Sequence, residues 1–482
     1  MNAAAILIVM MPLSAALLAP LVGRSSGRAA RALALLTLTA TCTAAIIALR
    51  ISLESGPLHY ALGGWMPPWG IEFVVDPLSG MVATLVSILA LLVALHGVPT
   101  PDEPAGGLYW ALYLLLVSGL LGITLTGDLF NLFVFLEISA LAGYALLGAH
   151  DVRSRIASFR YLLVGTLAGS FYLLGLGYLY ALTGTLNMAD MAERIPHVQD
   201  AHGVAIGVGL IAVGLATKSA LFPLHGWLPD AYSYAPPALV AFISAVASKV
   251  SAYALLRILY FTLGAAGPAA ATLELMGWAA AIAVVAGSAM ALAQRDFRRL
   301  LAFSSVGQMG YIFIGFAIGN AAALTGALLH IVNHAVMKGG LFLIAGTVFS
   351  RKGRCRISDF QGLAKDQPMV AVALTVTSLS MVGLPPSAGF FSKYYLLLGA
   401  IQSGKWPLLV ALVVSTLLGL VYFLRVLEQV YFAPSTEKTR HALPAHRWVP
   451  IATLATAALL LGLFNQSLVN GVIQFALPAA TR

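Results

Sequence analysis

The stretch GVAIGVGLIAVGLATKSALFPLHGW, residues 203–227, runs through fifteen uncharged, mostly apolar residues into Lys218 and reaches Pro223 five residues later. In a soluble protein such a lysine is a solvated helix end. The surrounding sequence argues against that. Apolar runs of similar length recur along all 482 residues, and about 20 apolar residues are what an α-helix needs to cross a bilayer. Hydrophobic residues make up 60% of the chain. Charged residues make up 9%, against roughly 25% in soluble globular chains. The composition therefore predicts an all-α polytopic membrane protein.

Fourteen spans are expected, at 3–22, 31–50, 73–95, 108–126, 128–148, 159–181, 204–224, 236–260, 272–292, 300–319, 325–349, 370–400, 406–430 and 449–472. The first run, NAAAILIVMMPLSAALLAPLVG, lacks a basic leader and a clear small-residue cleavage site, so it reads as a retained helix. Basic residues set the orientation. Loops after odd-numbered spans, including GRSSGRAAR (23–31), VRSRIASFR (152–160), QRDFRR (294–299), SRKGRCR (350–356) and Lys438 to Arg447, hold 17 of the 27 Lys and Arg residues. By the positive-inside rule these loops are cytoplasmic and both termini external, in a multi-pass protein of the cell inner (cytoplasmic) membrane.

The net charge of +9 thus reflects topology and points to no nucleic-acid partner. Cys42 and Cys355 offer neither a disulfide framework nor a metal cluster. No CxxC, glycine-rich nucleotide loop or paired-histidine metal motif stands in the chain, so no cofactor and no metal are expected.

Ionisable residues inside the spans carry the functional signal, because charge at membrane depth is costly and ordinarily faces a partner, a proton route or water. Arg257, Arg425 and Glu428 lie near span ends, where snorkelling or surface pairing accounts for them. Glu137, in NLFVFLEISALAGYALL, lies about nine residues from either end of its span. That is roughly 13 Å from each interface. Lys218 and Lys249 are its natural partners. Burial disfavours a charged lysine and a nearby carboxylate favours it, so a Glu137–Lys218 pair forms a switch that takes or releases a proton as neighbouring charge moves. The plainer alternatives are a neutral hydrogen-bonded Glu137 and a static salt bridge.

In LLHIVNHAVMKGGLFLIAG, His330, His334 and Lys338 recur every four residues and share one helical face. Histidine passes protons between its two ring nitrogens. A metal held by the two histidines lacks a supporting carboxylate or cysteine. Lys393 follows the Gly-Leu-Pro-Pro of SMVGLPPSAGFFSKYYLLLGA, where a continuous helical hydrogen-bond ladder cannot hold. The long run 370–400 is therefore expected as two half-helices with a break near 383–389. Pro223 marks a similar interruption after Lys218. Spans 4–8 and 9–13 form two five-span blocks of opposite starting orientation, each with a broken fourth member. The expected organisation is 1–107 (three N-terminal helices), 108–260 (first repeat), 272–430 (inverted second repeat) and 449–472 (last helix).

NLFVFLEISALAGYALLG (131–148), TKSALFPLHGWLPDAYSYAPPALVAFISAVASKVSAYALLR (217–257) and HIVNHAVMKGGLFLIAG (330–346) resemble the proton-conducting antiporter-like membrane subunits. That family includes the D-type subunit of Mrp sodium/proton antiporters and the antiporter-like subunits of NADH-quinone oxidoreductases and membrane-bound hydrogenases. The resemblance implies a fourteen-helix fold with broken helices 7 and 12, inverted repeats and a hydrated lateral axis. It implies a coupling pair in Glu137 and Lys218, a central relay in Lys249, connectors in His330 and His334, and a terminal lysine in Lys393. Lys338, Ser305, Tyr144 and Tyr311 are further candidate connectors. SYAPPALVAF looks D-like, whereas HAVMKGG departs from the bulkier Phe-Phe-Lys of many relatives.

The expected function is proton translocation within an Mrp-type antiporter, with other membrane subunits, protons and membrane lipid as partners and sodium carried through the complex. The alternatives are a proton-pumping subunit of an NADH-quinone oxidoreductase or hydrogenase, a self-sufficient secondary transporter, and a structural scaffold. Any redox chemistry belongs to partners. The loop 183–203 is a candidate subunit contact, with plain solvent exposure the simpler reading.

Overall fold

The computed structural model describes residues 3–97, 106–434 and 443–481. Among them, thirteen helices are long and apolar enough to cross a membrane. The chain begins with α1 (Ala3–Ser25) and α2 (Gly27–Ser55), and a hairpin of β1 (Leu58–Ala61) and β2 (Glu72–Val75) follows. Next come α3 (Pro77–His96), α4 (Gly106–Leu125), α5 (Leu129–Leu147) and α6 (Val152–Thr183). The short α7 (Met188–Arg194) precedes α8 (Ala201–Lys218), and the short α9 (Leu228–Tyr234) precedes α10 (Pro237–Leu256). Then come α11 (Pro268–Leu292), α12 (Phe297–Ile318), α13 (Ala321–Lys352) and the four-residue α14 (Leu363–Asp366). The rest is α15 (Pro368–Val382), α16 (Ala388–Gln402), α17 (Trp406–Tyr431) and α18 (Ala445–Leu463), with the short α19 (Asn465–Leu468) and α20 (Gln474–Ala476) after it. The basic positions Lys438, Arg440 and Arg482 lie outside the described residues.

Much of the scarce acid marks helix starts. Asp76, Asp128, Asp151, Asp200 and Asp296 are N-caps whose carboxylates accept backbone N–H groups at 2.7 to 3.0 Å. These are donors the first helical turn cannot satisfy itself. The cap at Asp76 corrects the expected third span. Phe73–Val75 reads as part of an apolar run, but these residues pair in the hairpin, and Asp76 with Pro77 starts the helix afresh. The last span also differs: α18 stops at Leu463, and after a turn at Phe464 a second helical stretch covers 465–476, π-helical over Val469–Ile473.

The helices are not equally placed. In α10, α12 and α13, 94 to 100% of the most apolar window is buried, whereas α1, α2, α6, α17 and α18 bury only 33 to 39%. The innermost helix, α13, packs against α10, α12, α15, α16 and α18. Lys249, His330, His334 and Lys338 therefore lie on two of the three helices deepest in the protein.

Two segments leave the helical path. After α8 ends at Lys218, residues 219–227 form turns before α9. The Trp227 indole donates to the carbonyl of Thr217 at 2.9 Å, supplying one donor the helix end lacks. After α15, Gly383 takes φ +90°, a left-handed conformation that costs glycine little, and helix resumes at Ala388. The expected twelfth span is thus two helices of 15 residues. Each is about 22 Å long, short of a ~30 Å hydrocarbon core.

Polar ties fasten the frame. Asp230 on α9 accepts from Arg160 of α6 at 3.2 Å and Arg299 of α12 at 3.1 Å. Buried Arg298 donates to the carbonyls of Tyr232 and Ala235, and Arg425 of α17 donates to those of Leu292 and Gln294 at the end of α11. Arg257, in the turn continuing α10, neither snorkels nor pairs at the surface. It forms an ion pair with Asp76, their side chains 12% and 17% exposed. Asp76→Ala removes both a cap and the partner of a mostly buried guanidinium. It is expected to cost about 3 kcal/mol, read as a lowered unfolding temperature of the purified chain in detergent. An unchanged temperature would show the pair to be energetically idle.

Candidate functional site

Glu137 sits at the middle of α5, and Lys218 is the last residue of α8. The Lys218 Nζ lies 3.4 Å from Glu137 Oε1 and 3.2 Å from the Tyr144 hydroxyl. Tyr144 is seven residues beyond Glu137, two turns along the same face of α5. The ammonium is thus shared between two groups of one helix. A charge-assisted hydrogen bond is ordinarily about 2.7–2.9 Å, so the pair is loose. The Lys218 side chain is 5% exposed and that of Glu137 25%. Behind them Tyr144 meets Tyr161 edge-on at 4.6 Å, and Tyr161 stacks on Trp227 at 3.8 Å. The loop after Lys218 folds back onto the residues that hold it.

A cavity of about 30 Å³ adjoins Lys218. Ser139 and Gly143 line its α5 side, and Ile243, Ala247 and Ser251 line its α10 side. About 10–15 Å³ accommodates a water where polar partners exist. The cavity thus lies between Lys218 and α10, the helix bearing Lys249.

Lys249 is fully enclosed, and its Nζ donates to the Ser244 carbonyl of its own helix. It stands within electrostatic range of His330, His334 and Lys338. His330 and His334 share one helical face, as their four-residue spacing predicts, and their rings stack at 5.7 Å. His330 Nδ1 is 3.0 Å from Ser392 Oγ. Its ring also stacks on Tyr311 at 5.3 Å. The Lys393 ammonium lies 4.7 Å from the centre of that Tyr311 ring. Lys393 also donates to the carbonyls of Met381 and Val382, at 3.0 and 2.9 Å, where α15 ends. A run from Lys393 through Tyr311 and His330 to His334 follows.

Both ring nitrogens of His334 and Nε2 of His330 are buried without a protein partner among the described residues. Interior groups of this kind are ordinarily completed by water. Lys338 turns aside to α12, donating to the Leu301 carbonyl and to Ser304 Oγ, both at 2.6 Å. Ser304 is thus its side-chain partner, while the candidate connector Ser305 beside it donates to the carbonyl of Leu301. Sequence spacing could not separate adjacent serines. Nor did it offer a signal for Ser392 beside His330, or for Trp227 and Tyr161 behind Lys218.

Among the described residues no group of three or more His, Cys, Asp or Glu gathers around a common point where a metal could sit. A larger cavity, about 830 Å³, opens elsewhere, lined by Tyr260, Glu274, Trp278 and Lys405 among others, and touches none of the seven candidate residues.

Residues 126–419 match the family described as NADH:quinone oxidoreductase/Mrp antiporter, TM. The chain belongs to this family. It is 50% identical, over 98% of both chains, to NADH-quinone oxidoreductase subunit N of Desulforudis audaxviator. It is 32% identical to the D-type Na(+)/H(+) antiporter subunit of Bacillus subtilis, over 84% of this chain and 82% of that one. A chain in the solved structure of the membrane-bound sulfane sulfur reductase, an archaeal respiratory membrane complex, superposes with a TM-score of 0.93. It is 29% identical and covers 100% of this chain, which covers 99% of it. This family member thus carries its buried Lys and His residues on a fold shared with subunits of larger membrane assemblies.

Proposed function

We propose that this chain is the proton-translocating subunit of a multisubunit Mrp-type sodium/proton antiporter. The observation that carries the reading is the Glu137–Lys218 pair at 3.4 Å, placed where α8 stops and leading inward toward buried Lys249, His330, His334 and Lys393. While Glu137 is near, Lys218 is held charged; a charge shift that draws Glu137 away releases the proton inward. Lys249 receives it through water, and the two histidines take it up on one ring nitrogen and release it from the other. Lys393, at the split between α15 and α16, closes the line, with Lys338 as a side branch on α12.

The same reading assigns helices α4–α10 and α11–α17 to two inverted five-helix repeats at 108–260 and 272–430. Residues 1–107 and 449–472 supply the flanking helices. The interruptions at 219–227 and 383–387 are the broken fourth members of the two repeats. The excess of basic residues in alternate loops supports external termini in the cytoplasmic membrane. Sodium is exchanged through a neighbouring subunit, whose charge movement reaches Glu137 first.

The 50% identity to an NADH-quinone oxidoreductase subunit supports a second reading, in which a redox reaction in partner subunits drives the same route. One experiment separates them. Inverted membrane vesicles with the intact native complex are compared with a Lys218→Ala version, using a pH-sensitive dye. Sodium-triggered proton movement that disappears in the variant supports the antiporter. Movement only with NADH or hydrogen moves the chain to a redox-driven complex. Transport that survives unchanged in an assembled Lys218→Ala complex removes Lys218 from the route.

A further inference from the structure

Helix α6 carries no candidate relay residue, yet it lies directly against the Glu137–Lys218 pair. Two of its glycines, Gly165 and Gly169, are one helical turn apart and face the cluster. A Cβ placed on Gly169 would stand 2.6 Å from Glu137 Oε1. One placed on Gly165 would stand 1.8 Å from the Tyr144 hydroxyl and 2.8 Å from its Cζ. Those are the two oxygens that share the Lys218 ammonium.

Other glycines of α6 differ. A Cβ on Gly175 would meet the Gly207 carbonyl at 2.5 Å and the Ile211 nitrogen at 2.8 Å, so Gly175 serves close backbone approach to α8. Around Gly177 nothing lies within 4 Å. The clearance at Gly165 and Gly169 is therefore specific to side chains of the site.

We propose that Gly165 and Gly169 are positioning residues for proton transfer. Their missing side chains form the recess that lets the Glu137 carboxylate and the Tyr144 hydroxyl reach Lys218 from one side. The inference rests on the proposed proton route through Glu137. A methyl group at residue 169 pushes the carboxylate out of its place, and the distance to Lys218 changes by a sizeable part of an ångström. Misplacement of about 1 Å commonly lowers a positioned transfer by ten- to a hundredfold.

The test uses the intact complex in inverted vesicles, with assembly verified for every variant. Gly169→Ala is expected to slow proton movement about tenfold or more, and Gly177→Ala to leave it unchanged. Glu137→Asp withdraws the carboxylate from both residue 169 and Lys218, so it is expected to slow transport by itself, and adding Gly169→Ala to it is expected to slow transport less than Gly169→Ala slows the wild type. Shortening residue 137 offers no relief to a helix-packing defect. Wild-type transport in Gly169→Ala overturns the proposal, as does a slowing by Gly169→Ala that is just as large in the Glu137→Asp background. Transport that persists in Glu137→Gln instead sinks the underlying proton route.

Discussion

Replacing Lys249 by methionine is expected to lower proton movement by about 100-fold or more, the range lost when a positioned acid–base group is removed. Lys249 is 1% exposed, and its side chain has a carbonyl partner in Ser244 and no carboxylate partner among the described residues. It stands electrostatically close to the whole His330, His334 and Lys338 stripe. No other Lys, Arg, His, Asp or Glu stands on α10 to replace it there. Methionine keeps an unbranched apolar stem of similar length and cannot titrate. Removing a buried amine without a counter-charge also relieves a desolvation cost. The unfolding temperature in detergent is therefore expected to hold or rise while transport is lost. Transport above about a tenth of the wild-type rate would take Lys249 out of the route.

Lys393→Met is expected to remove transport as well, with the opposite effect on stability. The Lys393 Nζ donates to the carbonyls of Met381 and Val382, which end α15 and have no next turn to bond them. Methionine leaves both acceptors buried and unmet, at about 1–3 kcal/mol for each. Unfolding temperature and transport should fall together. Lys393→Arg keeps the donors but cannot give up its proton under working conditions. It should recover most of the lost stability and leave transport blocked. An arginine variant that transports normally would show that Lys393 braces the helix split and carries no proton. Unchanged stability in Lys393→Met would show that it does not brace it.

These two lysines illustrate how much was legible in the sequence. Apolar run length located the helices, and Gly-Leu-Pro-Pro located the gap between α15 and α16 because proline removes a donor where the ladder needs one. The four-residue spacing of His330 and His334 put them on one helical face, and there their rings stack. The hairpin was hidden because Phe73–Val75 is as apolar as the helix after it, and only the Asp76 cap and Pro77 divide them. Across the chain, legibility falls away. Lys218 meets Tyr144 over 74 positions, and His330 meets Ser392 over 62. Nothing local encodes which residues of distant helices will touch. The role of Gly169 is more obscure still, since its contribution is an atom that is missing.

Asp230 gives the region behind Lys218 a mechanical character. It is tied to Arg160 on one side and Arg299 on the other, while Arg298 grips the carbonyls of Tyr232 and Ala235 at the end of the same short helix. Each surface tie is worth little alone, but together they moor α9 to helices that precede and follow it in the chain. The nine residues from 219 to 227 then work as a tether with one anchored end. That tether joins Lys218, through α9 and its Asp230–Arg299 pair, to α12, the helix whose Ser304 accepts from Lys338.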